Sequence, residues 1–156
     1  MLLIKILCVL LISASVVFLG LKKANLLYMR LKNLREARDV MAALFRQMFY
    51  FKEEIGEALK TVKSQSGSHM AECMLSLFDG RDILPKSLNF RDREIILQTV
   101  TSLGMGEATE QSRRGEELIK NIDEQINEAK QEFYSNAKVY SAVSLCIGVC
   151  IGLIII

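Results

Sequence analysis

The stretch Leu27–Met48, LYMRLKNLREARDVMAALFRQM, decides the fold. Leu27, Leu31, Leu34, Met41, Leu44 and Met48 recur at steps of three, four or their sum, and Arg30, Lys32, Arg35, Glu36 and Asp39 fall between them. Because a helix returns to the same face every three or four residues, this spacing lays one apolar seam along an amphipathic α-helix. A strand would need alternation, and no alternating run of any length occurs in the chain. The helical period returns in Ile55, Ala58, Leu59 and Val62, and again in Met70, Cys73, Met74, Leu77 and Phe78. It returns a third time in Ile95, Ile96, Val100 and Leu103, and last in Leu118, Ile122, Ile126, Ala129, Phe133 and Ala137. The chain is predicted to be all-α.

The punctuation between these patterns agrees. Glu53 and Glu54 precede an apolar run and predict a helix start between Lys52 and Glu54, where acidic side chains suit the positive end of the helix dipole. Gln65-Ser66-Gly67-Ser68 reads as a loop whose last serine caps the next helix. Asp79 to Arg91, with Gly80 and the lone Pro85, is the longest irregular stretch.

The two ends differ in composition from this middle. From Leu2 to Leu21 the only charge is Lys5, and Val139 to Ile156 carries none. Each run, at about 1.5 Å per residue, reaches roughly one hydrocarbon core thickness. The expected organisation is a transmembrane helix over 1–21, a cytosolic helical bundle over 22–138 and a second transmembrane helix over 139–156. A cleaved signal peptide is the competing reading of the first run. The single lysine before the apolar core and the cluster Lys22, Lys23, Arg30 and Lys32 after it favour a retained anchor. The same basic cluster, with Lys130 and Lys138 before the second run, places the middle in the cytoplasm and both termini outside. The first and last helices run into the spans without a breaker. The fold expected is thus a membrane-anchored antiparallel helical bundle with an N-terminal and a C-terminal transmembrane helix.

Little in the sequence points to chemistry. Lysine and arginine number 20 against 18 acidic residues, a balance that makes no case for nucleic acid, and the basic cluster after the first run suits anionic lipid headgroups. Cys8, Cys146 and Cys150 lie in the apolar ends and Cys73 stands alone in the middle, which is no disulfide framework. His69 and Cys73, four apart, can face each other on a helix, with Glu72 alongside. No third group is evident to orient the histidine as a catalytic base, and two soft ligands are too few for zinc. That pair reads as a helix N-terminal histidine beside a buried cysteine. The acidic residues sit among basic ones around the helix faces, the pattern of a solvated surface. No catalytic, metal, cofactor-binding or small-molecule site is expected.

SLGMGEATEQ, Ser102 to Gln111, tests this conclusion, because two close glycines invite a phosphate-cradling reading. A dinucleotide fingerprint needs a third glycine where Thr109 stands, and it follows a strand, whereas the stretch before Leu103 has a helical period. A P-loop needs a lysine, and none occurs between Lys86 and Lys120. The stretch reads instead as a joint between helices. Gly104 supplies a left-handed turn, and Gly106 or Glu107 opens the long last helix.

The same joint carries a resemblance. Leu103-Gly104-x-x-Glu107-x-x-x-Gln111 resembles the Leu-Gly-x-x-Asp-x-x-x-Gln pattern of the stage III sporulation protein AB family of endospore-forming bacteria, with glutamate in place of the family's aspartate. Glu54-Ile55 followed by Glu57-Ala58-Leu59, and the long charged helix running into an apolar end, are also similar to that family. A Thr-Pro pair that the family places before this short helix is replaced here by Phe51 to Glu54. The resemblance implies a non-enzymatic membrane component of a secretion-like complex between mother cell and forespore, lying in the mother-cell membrane that faces the forespore. It also implies likeness of the cytosolic part to the inner-membrane platform protein of type II secretion and type IV pilus machines. The partners implied are the complex's cytosolic secretion-type ATPase, its other membrane components and the lipid bilayer, with Leu103, Gly104, Glu107 and Gln111 as a possible partner contact. The competing readings are a membrane-anchored scaffold that dimerises through the 27–48 seam, and an enzyme using His69 and Cys73.

Overall fold

The Leu27–Met48 seam lies on α1, Leu2–Tyr50, a single helix of 49 residues in the computed structural model. Among the described residues four further α-helices follow: α2 (Ile55–Ser66), α3 (His69–Phe78), α4 (Phe90–Ser102) and α5 (Ala108–Glu132), the last ending in a π-helical turn, Phe133–Ala137. The structure describes residues 2–102, 108–137, 139, 142, 143, 146 and 147; side chains are described in α1 at 14, 15 and from 18 onward, and not at 108, 109 and 137. Among the described residues there is no strand, so the all-α expectation holds.

The two transmembrane helices do not. Among the described residues no helix is long and apolar enough to cross a membrane. The part of α1 whose side chains are described shows why. From Ala14 onward, any stretch of 18 residues takes in Lys22, Lys23 and Arg30 or a still more charged set. The second expected span, 139–156, lies outside the described residues apart from Val139, Ala142, Val143, Cys146 and Ile147.

The chain divides into two compact units, Arg30–Glu128 and Met1–Met29 with Ala129–Ile156. In the second of these, Tyr28 and Phe133 bring their rings to 6.0 Å and Phe133 meets Tyr134 edge-on at 5.6 Å.

In the unit Arg30–Glu128 the seam is the core. Leu34, Met41 and Leu44 are wholly buried (0% exposed), and Ala37, Val40 and Phe45 widen the stripe. Burying each large aliphatic side chain contributes about 1.5–3 kcal/mol, which is why one seam can organise the unit. Ala58, Leu59 and Val62 of α2, Met70 and Met74 of α3, Ile95 and Ile96 of α4, and Leu118 and Ile122 of α5 complete the core. Helix α2 packs on α3, and α3 on α4. Helices α1 and α5 run antiparallel here: Arg38 Nε donates to Asp123 Oδ1 at 3.2 Å, and further along, Gly115 lies against the Phe45 ring.

Local chemistry sets the helix ends. Helix α2 stops at Gly67, whose φ of 57° is the left-handed conformation that glycine adopts without a Cβ clash. Ser68 Oγ then accepts from the Met70 N–H at 3.2 Å and starts α3, the cap expected from its position. Helix α4 starts with a reciprocal cap: Asn89 Oδ1 accepts from the Asp92 N–H at 2.8 Å, and Asp92 Oδ2 accepts from the Asn89 N–H at 3.0 Å.

Candidate functional site

Three polar side chains occupy positions where the helical period calls for apolar ones. Arg30 lies on the face of Leu27 and Leu34, Asp92 one turn before Ile95 and Ile96, and Gln125 between Ile122 and Ala129. All three are buried, at 5%, 0% and 1% exposed. Arg30 Nε donates to Asp92 Oδ2 at 2.8 Å and its Nη2 to Asp92 Oδ1 at 3.0 Å, a two-pronged ion pair. The same Nη2 donates to Gln125 Oε1 at 3.4 Å. One cluster thereby fixes α1, α4 and α5 against each other, and Asp92 is at once counter-ion and helix cap. A buried pair of this kind selects among packings more than it adds stability, because desolvating both charges offsets most of their attraction. Its work is positioning.

The acids therefore do not all lie on solvated faces, as Asp92 shows, and Arg30 belongs to the core rather than to a lipid-facing basic cluster. The signal was present in the sequence: each residue stands in phase with an apolar seam. Periodicity alone cannot say that three such residues on three helices meet.

The open surface lies at the end of α1. Ala42, Phe45, Arg46, Phe49, Tyr50 and Phe51 line an apolar groove of about 730 Å³, with Tyr50 82% and Phe51 66% exposed. The Phe51 N–H still donates to Gln47 O at 3.1 Å, and Lys52 then takes a left-handed φ of 56°, which turns the chain out of α1. That conformation strains a residue with a Cβ by roughly 1–3 kcal/mol. Beyond the turn lies a second, more polar pocket of about 440 Å³, lined by Met48, Lys52, Glu53, Glu54, Ile55 and Gln111. In it Glu53 Oε2 is sealed from solvent with no hydrogen-bond partner.

Gln111, the described member of the Leu-Gly joint, stands on α5 in the wall of this pocket. Leu103, Gly104 and Glu107 lie outside the described residues, and so does the turn expected at Gly104. His69 and Cys73 do face each other, with Sγ 3.7 Å from Nε2, and the thiol also points at the Ile83 carbonyl oxygen at 3.6 Å. Burial above all, then the charges of Glu72 and Glu36, pushes the Cys73 thiol up from its ordinary value, which is the reverse of what activates a nucleophile. Among the described residues no group of three or more His, Cys, Asp or Glu side chains is placed to hold a metal ion.

Comparison with known proteins adds one finding. The family model described as stage III sporulation protein AB matches residues 5–80 and 83–156. No curated protein and no solved structure matches the chain.

Proposed function

The chain belongs to the stage III sporulation protein AB family, and from that premise we propose that it is a non-enzymatic docking component of a secretion-like complex built during endospore formation. In this reading the helical unit Arg30–Glu128 faces the mother-cell cytoplasm and receives the secretion-type ATPase of the same complex. The family match over nearly the whole chain carries the proposal. The geometry supports it in kind: a unit whose buried Arg30–Asp92–Gln125 cluster fixes three helices can hold an exposed aromatic surface in one shape, as a docking platform requires.

The competing dimeric adaptor would need the 27–48 seam. Leu31, Leu34, Met41, Leu44 and Met48 are buried against the chain's own helices, so a second copy could reach them only by opening the unit.

The test is in-cell photo-crosslinking from Tyr50, Phe90 and Leu97, all on the surface of the unit. The expected outcome is capture of the secretion-type ATPase from sporulating cells by at least one position. Recovery of the chain alone from every position would sink the docking reading.

A further inference from the structure

We propose that the pocket lined by Glu53, Glu54 and Gln111 is the receptor for a basic side chain, arginine above all, presented by a partner protein whose apolar neighbours lie in the groove of Phe45, Phe49, Tyr50 and Phe51. This deepens the docking reading and rests on it in taking the occupant to be a protein. It does not depend on which protein that is.

The argument starts from Glu53 Oε2. A carboxylate oxygen sealed from water without a donor is costly, because its lost hydration is not replaced. Lys52 lines the same pocket and yet makes no hydrogen bond to that oxygen. Glu54 adds a second carboxylate; it precedes the first residue of α2 without capping the helix through its side chain. Gln111 of α5 adds a polar side chain to the lining. Two carboxylates against one ammonium give the pocket a surplus of acceptors, so charge complementarity selects a cationic donor. Guanidinium fits best, since its planar fork can give hydrogen bonds to two carboxylates at once. Glu53 is only half-buried as a residue and lines the pocket, so its carboxylate stands beside the space a donor would enter.

The apolar groove decides between a free cation and a protein. The two surfaces adjoin in the chain, with Phe51 in the wall of one and Lys52 in the wall of the other. A polyamine or a metal ion could meet one ring face by cation–π attraction but would leave most of a groove of about 730 Å³ uncovered. A protein segment with apolar side chains around an arginine uses both, in the usual arrangement of an aromatic anchor beside a desolvated charged pair. The left-handed turn at Lys52 joins the two halves in the chain.

The probe is the fluorescein-labelled peptide Leu-Arg-Phe-Leu, amidated at its C-terminus, titrated with the purified full-length chain and read by fluorescence anisotropy. The control peptide carries citrulline, the neutral isostere, in place of arginine. The expected result is a preference for the arginine peptide of about tenfold, as a charge-assisted hydrogen bond in a partly desolvated site gives. Glu53→Gln should bring the two peptides to equal affinity. Tyr50→Ser should weaken both together and leave their ratio unchanged. Equal binding to the unaltered chain, absence of binding, or a preference that survives Glu53→Gln would each overturn the proposal, and an unchanged affinity in Tyr50→Ser would remove its aromatic half. Crosslinking to the ATPase can succeed while this experiment fails, and the converse, so the two readings stand or fall separately.

Discussion

At the scale of single residues, Asp92 carries the most consequence. It accepts two buried hydrogen bonds from Arg30 and a part-buried one from the Asn89 amide. Asp92→Asn keeps the shape and part of the cap but leaves a buried guanidinium without its counter-charge. The expected loss is about 3–5 kcal/mol, seen as a shift of the urea midpoint in far-ultraviolet circular dichroism. Adding Arg30→Met to Asp92→Asn should recover part of that loss, because it removes the stranded charge; a double variant no more stable than the single one would contradict the pairing. Cys73 gives a second residue-scale outcome. Burial holds its pKa above the unfolded value, so the unfolded chain loses its proton first as pH rises. Stability is then unaffected below the unfolded pKa and falls as pH climbs from there toward the folded value. With Cys8, Cys146 and Cys150 replaced by serine, labelling of the remaining thiol at pH 8 should be at least about tenfold slower than in urea. The alkaline loss of stability should flatten in Cys73→Ala.

At the scale of the elements, two helical glycines make opposite predictions. A Cβ added at Gly115 of α5 would rest on three ring carbons of Phe45 at 3.4 Å, ordinary contact. Gly115→Ala should therefore stabilise the chain by about 0.5–1 kcal/mol, the helical preference of alanine over glycine, while Gly115→Leu overpacks against Phe45 and costs about 1–3 kcal/mol. At Gly56 of α2 the added Cβ would lie 3.1 Å from Phe78 Cε1, so alanine there gains helical preference only by displacing that ring. Gly56→Ala should be less stabilising than Gly115→Ala in the same urea titration, and the reverse order would refute both packings. The helices themselves were legible in the sequence. The 27–48 seam, the Ser68 cap and the irregular stretch after Phe78 all follow from local spacing and cap chemistry, and local rules suffice for local structure. The polar cluster was not, because Arg30, Asp92 and Gln125 are 62 and 95 residues apart along the chain where Arg30 meets its two partners, and only the tertiary arrangement joins them. Asp92 looked like one more surface acid for the same reason. The pocket at Glu53 was equally hidden, since the left-handed turn at Lys52 has no glycine to announce it.

At the scale of the molecule, the question is whether the seam that decides the fold serves the chain itself or a second copy. An amphipathic helix read alone fits both uses, because an apolar stripe does not say what covers it. The structure covers it within the chain: Leu34, Met41 and Leu44 are 0% exposed, and Thr99 of α4 turns its hydroxyl toward the Met41 sulfur at 3.8 Å. The large apolar side chains left in the open on Arg30–Glu128 lie elsewhere, at Tyr50, Phe51, Phe78, Ile83, Phe90 and Leu97 among the described residues. That distribution separates stability from association, so substitutions at the two places should have different consequences. Leu44→Asp places an unpaired carboxylate in the core and should abolish cooperative unfolding, with helical signal lost at every protein concentration. Tyr50→Ser should leave the urea midpoint within about 0.5 kcal/mol of the unaltered chain, as surface substitutions generally do, and act on partner capture alone. Were the seam an interface between copies, Leu44→Asp would instead give a folded monomer with an intact unfolding transition. Sedimentation of that variant beside its denaturation curve decides between the two, and the buried seam predicts unfolding.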